Sequence, residues 1–359
     1  MNLLTMRDRA RTRKPAVPVQ PVTDPAGWTA AEMESSGDWY YQLSPEDIAD
    51  LDQAIKRALE STSDILTIKK ENFTLPYFGP KLEEFRREIL DGQGIVQLRG
   101  FPVQRYSRLE AAVGFWGIGA YIGRPVSQNG KGHMLGHVKD LGYQQSNPQH
   151  RGYQTKEHMD FHSDSCDVVA LFCLHPAKSG GLSAIVSSVN IYNEMLRRRP
   201  DLAQVLTEPY YMDRRGEVPE GGKPWYQMPV FSFRDGYMST RGGGIYIKSA
   251  ERFEELPRMT AAQHEALDVM DQLANELQMR IRFEHGDIQF LHNHVMMHSR
   301  TAFEEYDEPE RKRHLLRLWL STDGARPLIP ELAERTQGGI TIKGTKPIFT
   351  LDPEYGAVS

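Results

Sequence analysis

His162-Ser163-Asp164 sets an imidazole and a carboxylate at positions i and i+2, which project from the same face of an extended strand and can close on one cation. That is two thirds of a metal site. A third donor is on offer between Ile288 and Arg300, where His292, His294 and His298 fall within seven positions of a chain with twelve histidines in all. Two histidines and a carboxylate on one face of an octahedral ion leave three positions open. This is the arrangement of non-haem iron oxygenases and not the closed tetrahedron of structural zinc. A second His-x-Asp, His158-Met159-Asp160, stands just upstream, but no apolar strand follows it directly.

A site of this kind needs rigid support. After Asp164 the run Val168-Val169-Ala170-Leu171-Phe172-Cys173-Leu174 is apolar on both faces, the mark of a fully buried strand, and Pro176 and Gly180-Gly181 turn the chain. Farther on, Arg313, Leu315, Arg317 and Trp319 share one face of a predicted strand, and His314, Leu316, Leu318 and Leu320 share the other. The two guanidinium groups are either solvated or turned inward toward a buried anion, since a planar fork suits a carboxylate bidentately.

The surrounding elements follow from capping and periodicity. Ser44-Pro45-Glu46-Asp47 opens a helix over about 45–60, with Ile48, Leu51, Ile55 and Leu59 on one face. Helices are also predicted over Lys81 to Leu90 and Ser107 to Tyr121, over Asn190 to Leu206 with a break at Pro200, and from the capping box at Thr260 to Leu277. Strands are predicted at Gly94 to Phe101 and Met279 to Phe283. Residues 208–250 carry many aromatics and glycines without a period. They read either as a lid or binding loop or as short strands whose Tyr210, Tyr211, Trp225, Tyr226, Phe231 and Phe233 are core. Residues 1–38, rich in Pro, Arg, Thr and Ala, read as a poorly ordered N-terminal arm, 39–75 as a helical extension, and 76–359 as the catalytic domain.

With 359 residues, 39% of them hydrophobic, the chain can bury one large core. A net charge of −5 argues against nucleic acid or an anionic membrane as partner. Two cysteines, Cys166 and Cys173, form no disulfide framework and fit a reducing cytoplasm. No apolar run reaches membrane-spanning length, the first six residues are too short for a signal segment, and the basic stretch Arg7 to Lys14 reads as a tail in preference to a transit peptide. The sequence is equally compatible with a monomer and a homo-oligomer.

The order His162-x-Asp164, Gly180-Gly181-x-Ser183, Asn293 with His298, and Arg313-x3-Arg317 resembles the TauD/TfdA family of Fe(II)- and 2-oxoglutarate-dependent dioxygenases, over about residues 90–325. The resemblance implies a mainly β fold, a double-stranded β-helix or jelly-roll barrel, with helices packed around it. It implies that His162, Asp164 and His298 bind iron, His298 being chosen over His292 and His294 because Arg-Thr follows it closely. Arg313 would pair with the distal carboxylate of 2-oxoglutarate, and Ser183, where many relatives carry Thr, would hydrogen-bond the same cosubstrate. Arg317 would face an anionic group on a small-molecule substrate, with Asn129 of the Gln128-Asn129-Gly130 loop as a further contact. Strand rise separates Arg313 and Arg317 by roughly 13 Å, too far for one short dicarboxylate to satisfy both equally.

The implied reaction couples O2 and oxidative decarboxylation of 2-oxoglutarate, to succinate and CO2, to oxidation of a substrate C–H. Hydroxylation is the leading outcome. Desaturation or ring formation is the alternative, and halogenation is disfavoured because Asp164 fills the position a halide would need. A zinc hydrolase on the same triad would leave Arg313 and Ser183 without a task, and a catalytically silent sensor or scaffold would have no need of a complete ligand set.

Overall fold

The structure, a computed structural model, describes residues 12–143 and 151–353. Its frame is a pair of facing sheets. The major sheet holds β1 (Tyr40–Gln42), β2 (Ile95–Arg99), β3 (Arg124–Pro125), β4 (Gly136–Val138), β6 (Val168–His175), β14 (Ile288–His292) and β17 (His314–Ser321). They run in the order β1-β2-β14-β6-β17-β3, with β4 also on β17. The minor sheet, β13-β8-β15-β5, is built from β5 (Met159–His162), β8 (Ser183–Ser187), β13 (Met279–Ile281) and β15 (Met296–Arg300). Together they form the jelly-roll barrel.

The two-faced apolar run becomes the central strand of the major sheet. Val168, Ala170, Phe172 and Leu174 of β6 pack outward on the helices Pro45–Ser61, Gly79–Asp91 and Arg108–Ile122, while Val169 and Cys173 face the barrel interior. β17 alternates in the same way: Leu316, Leu318 and Leu320 join the helix-covered core, which leaves Arg313, Arg317 and Trp319 inside. The first of these helices starts from the cap read in the sequence at Ser44, and the structure adds a capping box at Ser107 and a proline at the second helical position of Gly79–Asp91.

Residues 208–250 form two hairpins and a short helix: β9 (Pro209–Asp213) with β10 (Trp225–Pro229), β11 (Phe231–Arg234) with β12 (Tyr237–Thr240), then Gly244–Ala250. Tyr210, Tyr226 and Phe231 are buried, whereas Trp225 and Tyr211 are only half-buried, so both readings of this segment hold in part. One further small pair, β7 (Ser179–Gly180) with β16 (Phe303–Glu304), closes the barrel beside the site.

The N-terminal segment departs from its expectation. Residues 1–11 lie outside the described residues, but from residue 12 onward the arm lies against the barrel, with Val22, Ala26, Trp28 and Met33 buried and a helix at Ala30–Ser36. Asp24 forms an ion pair with Arg326 (2.8 Å), both almost fully buried, and a second with Arg13 (3.0 Å). The extension at 39–75 is likewise continuous with the barrel, because β1 pairs in parallel with β2. Proline-rich spacing hid this packing, since isolated buried residues need no period.

Candidate active site

β5 ends at His162, and Asp164 lies two residues past it, so the shared strand face of the sequence reading is replaced by a short loop. Asn293 fastens that loop: its side chain accepts from the Asp164 N–H (3.1 Å) and donates to the Cys166 carbonyl (3.1 Å). His298 sits directly across from His162 in the β15–β5 pair, with the two ring centroids 4.4 Å apart. One ligand atom from each of His162, Asp164 and His298 falls within 4.8 Å of the others. His162 Nδ1 meets the Asp160 carbonyl at 2.9 Å, which orients the ring and leaves Nε2 facing Asp164.

The protonation states suit a metal. Burial would raise the Asp164 carboxyl, but Arg317 and the two imidazoles hold it at about 2. Burial and the neighbouring His162 push His298 down to about 3, and burial also lowers His162. A carboxylate and two neutral imidazoles converging in a buried space are the donor set of an open divalent iron site, so the residues present fit the ion. The rival pair is on the surface: His158 and Asp160 are exposed and meet each other at 3.7 Å. His294 is bound to Asp167 (2.9 Å), and His292 is buried apart from the triad.

Two cavities meet at His162, Met159, Tyr153 and Arg317. The inner one, about 430 Å³ with open solvent included, runs inward past His298 and Ser183 to Arg300 and Arg313. Both guanidinium groups stack on Phe303, at 4.8 and 5.0 Å from the ring centroid, and both are buried. Nε and Nη1 of Arg300 and Nη1 of Arg313 meet no acceptor among the described residues. Burial pulls Arg313 down to about 10, and burial together with Arg313 pulls Arg300 down to about 9. Unpaired buried donors at the inner end of this cavity fit the carboxylate of a keto acid. Gly181 lets the chain pass close here, because a Cβ at its φ of 62° would sit 3.2 Å from Arg313 Nε. Ser183 lines the same cavity and donates to Gln289 Oε1 (3.1 Å).

The outer cavity is a cleft of about 930 Å³, open solvent included, reaching from Asp164 and Trp319 past Gln128 to the 208–250 segment. Arg317 lines both cavities. Its Nη1 lies 3.4 Å from Asp164 Oδ2, its Nε donates to Gln128 Oε1 (2.8 Å), and it packs on the rings of Tyr153 and Trp319. Asn129 is turned to His133 (3.0 Å), and the cleft is lined instead by its neighbour Gln128. Arg300 carries a local signal, since it stands two residues after His298 on the same strand face, whereas Gln128, Tyr153 and Arg241 reach the site from segments that no local pattern marks.

Fold and site define a non-haem iron oxygenase of the double-stranded β-helix type. Residues 36–319 match the family described as taurine catabolism dioxygenase TauD, TfdA, and the chain belongs to it: an oxidoreductase whose cofactors are ferrous iron, 2-oxoglutarate and O2. It is 30% identical over 330 residues to FR-33289 synthase of Streptomyces rubellomurinus, covering 89% of this chain and 96% of that protein. It is also 30% identical over 350 residues to the taurine hydroxylase-like protein SAT17 of Stachybotrys chartarum, covering 93% and 86%. Among solved structures, an asparagine oxygenase complexed with Fe(II), 3-hydroxyasparagine and succinate superposes with a TM-score of 0.62 at 16% identity, covering 79% of this chain and 94% of that one. The described residues contain no helix long and apolar enough to cross a membrane.

Proposed function

We propose that this protein hydroxylates an unactivated C–H of a small molecule, with His162, Asp164 and His298 as iron ligands and Arg313 and Ser183 holding 2-oxoglutarate. The convergence of the three donors where the two cavities meet, with unpaired buried guanidinium groups at the inner end, carries the reading. Iron with 2-oxoglutarate and O2 supplies the oxidation, in which one oxygen atom enters succinate and the other the product, with loss of CO2.

The chain's own residues bind, orient and exclude. Arg313, stacked on Phe303 with Arg300 beside it, anchors the distal carboxylate at the inner end, which leaves the keto-acid end toward the triad. Ser183, whose hydroxyl rests on Gln289 Oε1, turns that O–H to donate to an oxygen of the same cosubstrate. Arg317 holds the Asp164 carboxylate ionised and places its guanidinium at the cleft, which supports a contact with substrate as well. Asn129 contributes through its hold on His133, beside the cleft wall. The outer cleft admits the substrate, and the relatives named hydroxylase and oxygenase favour hydroxylation over desaturation or cyclisation. The buried free thiols Cys166 and Cys173 support a cytoplasmic setting.

The test is anaerobic titration of Fe(II) and then 2-oxoglutarate into the protein, followed by visible absorption. A charge-transfer band that requires both additions is expected. Its absence, with metal binding intact, would remove the cosubstrate assignment.

A further inference from the structure

Six arginines line the outer cleft: Arg151, Arg214, Arg215, Arg241, Arg317 and Arg335. The nearby acids neutralise only some of them. Asp164 faces Arg317, Glu217 holds Arg151 at 2.8 Å, and buried Asp213 is taken by Arg252 (2.8 Å) and Ser249 from outside the cleft. Arg214, Arg241 and Arg335 have no carboxylate at ion-pair distance among the described residues, and the Nε of each is buried without an acceptor. Glu334, the acid whose charge reaches Arg214, stays beyond that distance.

These three cations are gathered around one phenol. Arg214 and Arg335 stack on Tyr226, at 5.0 and 4.7 Å from the ring centroid, while Arg241, 4% exposed, stands at its hydroxyl. Burial would raise the Tyr226 hydroxyl, yet the charges of Arg241, Arg335 and Arg214 lower it. Glu334 and Asp164 reach Arg214 and Arg241 only at a distance, and like charges held together with no carboxylate in contact cost stability unless an anion joins them. Arg241 also donates to the Ser163 carbonyl and to Ser165 Oγ (3.2 Å), the residues flanking Asp164, so an anion held there would stand at a fixed distance from the metal ligands. Arg214, Tyr226 and Arg335 also line a second cavity that opens from the outer end of the cleft.

We infer that Arg214, Arg241 and Arg335, with the Tyr226 hydroxyl, form a subsite for a doubly charged tetrahedral oxyanion, a phosphoryl or phosphonyl head group, on the substrate. Three uncompensated guanidinium groups exceed what one carboxylate neutralises, and a tetrahedral dianion offers a separate oxygen to each. The construction repeats the two arginines on Phe303 at the inner end, so the inference rests on the reading of that end as the cosubstrate site.

The probes are phenylphosphonate, benzenesulfonate and benzoate, which share a ring and differ in charge and shape. Each is titrated calorimetrically into the Fe(II)- and 2-oxoglutarate-loaded full chain without O2, above the second phosphonate ionisation. Phenylphosphonate should bind about tenfold or more tighter than the two monoanions, and Arg335→Gln and Arg214→Gln should each weaken it about tenfold. Both side chains are half-buried and hold no acid in the fold, so these variants are expected to fold. Equal binding of the three probes, a preference unchanged in both variants, or displacement of 2-oxoglutarate by phenylphosphonate would overturn the subsite. The charge-transfer band in the same samples separates the two readings, because its loss in wild type removes the cosubstrate site, whereas an intact band without phosphonate preference removes only this subsite.

Discussion

Two pairs of arginines, each stacked on one aromatic ring, stand at opposite ends of the cavity system, and they are built differently. Arg300 and Arg313 lie on Phe303, carried on or beside the strands β15 and β17, and are almost completely buried. Arg214 and Arg335 lie on Tyr226, carried on a hairpin loop and on the helix Pro330–Thr336, and are only half-buried. The inner pair is held by the frame that holds the metal ligands, so its position cannot vary without disturbing the barrel. The outer pair sits on segments whose length and sequence can change while the frame stays, as expected of the end that selects a substrate. On the proposed reading, one device serves a constant ligand on rigid strands and a variable one on loops.

The sharpest way to break this contrast is at the frame. Ala at His162, Asp164 or His298 should abolish Fe(II)-dependent succinate formation, a loss of at least about a hundredfold, measured with saturating 2-oxoglutarate. His158→Ala and His294→Ala should retain most turnover, and an active His298→Ala would overturn the ligand set. The next largest effect is expected at the inner arginines. Arg313→Gln should weaken 2-oxoglutarate by about 2 to 5 kcal/mol with iron affinity unchanged, read from the charge-transfer titration. Affinity equal to wild type would move the carboxylate to Arg300 or Arg317.

The smallest effect sharpens the outer end. Asp271, on the helix Ala261–Leu277 behind the cleft wall, is raised to about 6 by burial, with Asp160 and Asp268 adding to the rise. A carboxyl whose folded pKa exceeds its unfolded value favours the fold at low pH, and that contribution is lost as pH rises from about 4 through 6. Asp271→Asn should therefore gain about 1 kcal/mol in denaturant unfolding at pH 8 and nothing near pH 4. A gain that is the same at both pH values would show that the charge is not the cause.

The same contrast separates what the sequence disclosed from what it did not. His162, Asp164, His298 and Arg313 stand out in the sequence by their order and spacing, and the fold brings the first three within 4.8 Å of one another; Arg300 carries a similar trace two residues after His298. Arg214, Arg241 and Arg335 come from three segments without a shared period, so only the folded chain brings them to Tyr226. The capped helices and the strands β2, β6 and β17 were legible from caps and periodicity. The packing of residues 12–38 was not, because Val22, Ala26 and Trp28 are buried singly between prolines and polar residues.

The buried pair of Asp24 and Arg326 joins residues 302 positions apart. Asp24 leaves the ribosome with Arg13 beside it but long before Arg326, so this buried pair is among the last contacts the arm makes, after those of Trp28 with Gln93 and of Val22 with Asn193. Pairing of Asp24 with Arg326 is then a late event that fastens an arm already resting on the barrel. A product truncated before residue 326 would keep His162, Asp164, His298 and both inner arginines, yet its buried Asp24 would be left with Arg13 as its ion-pair partner.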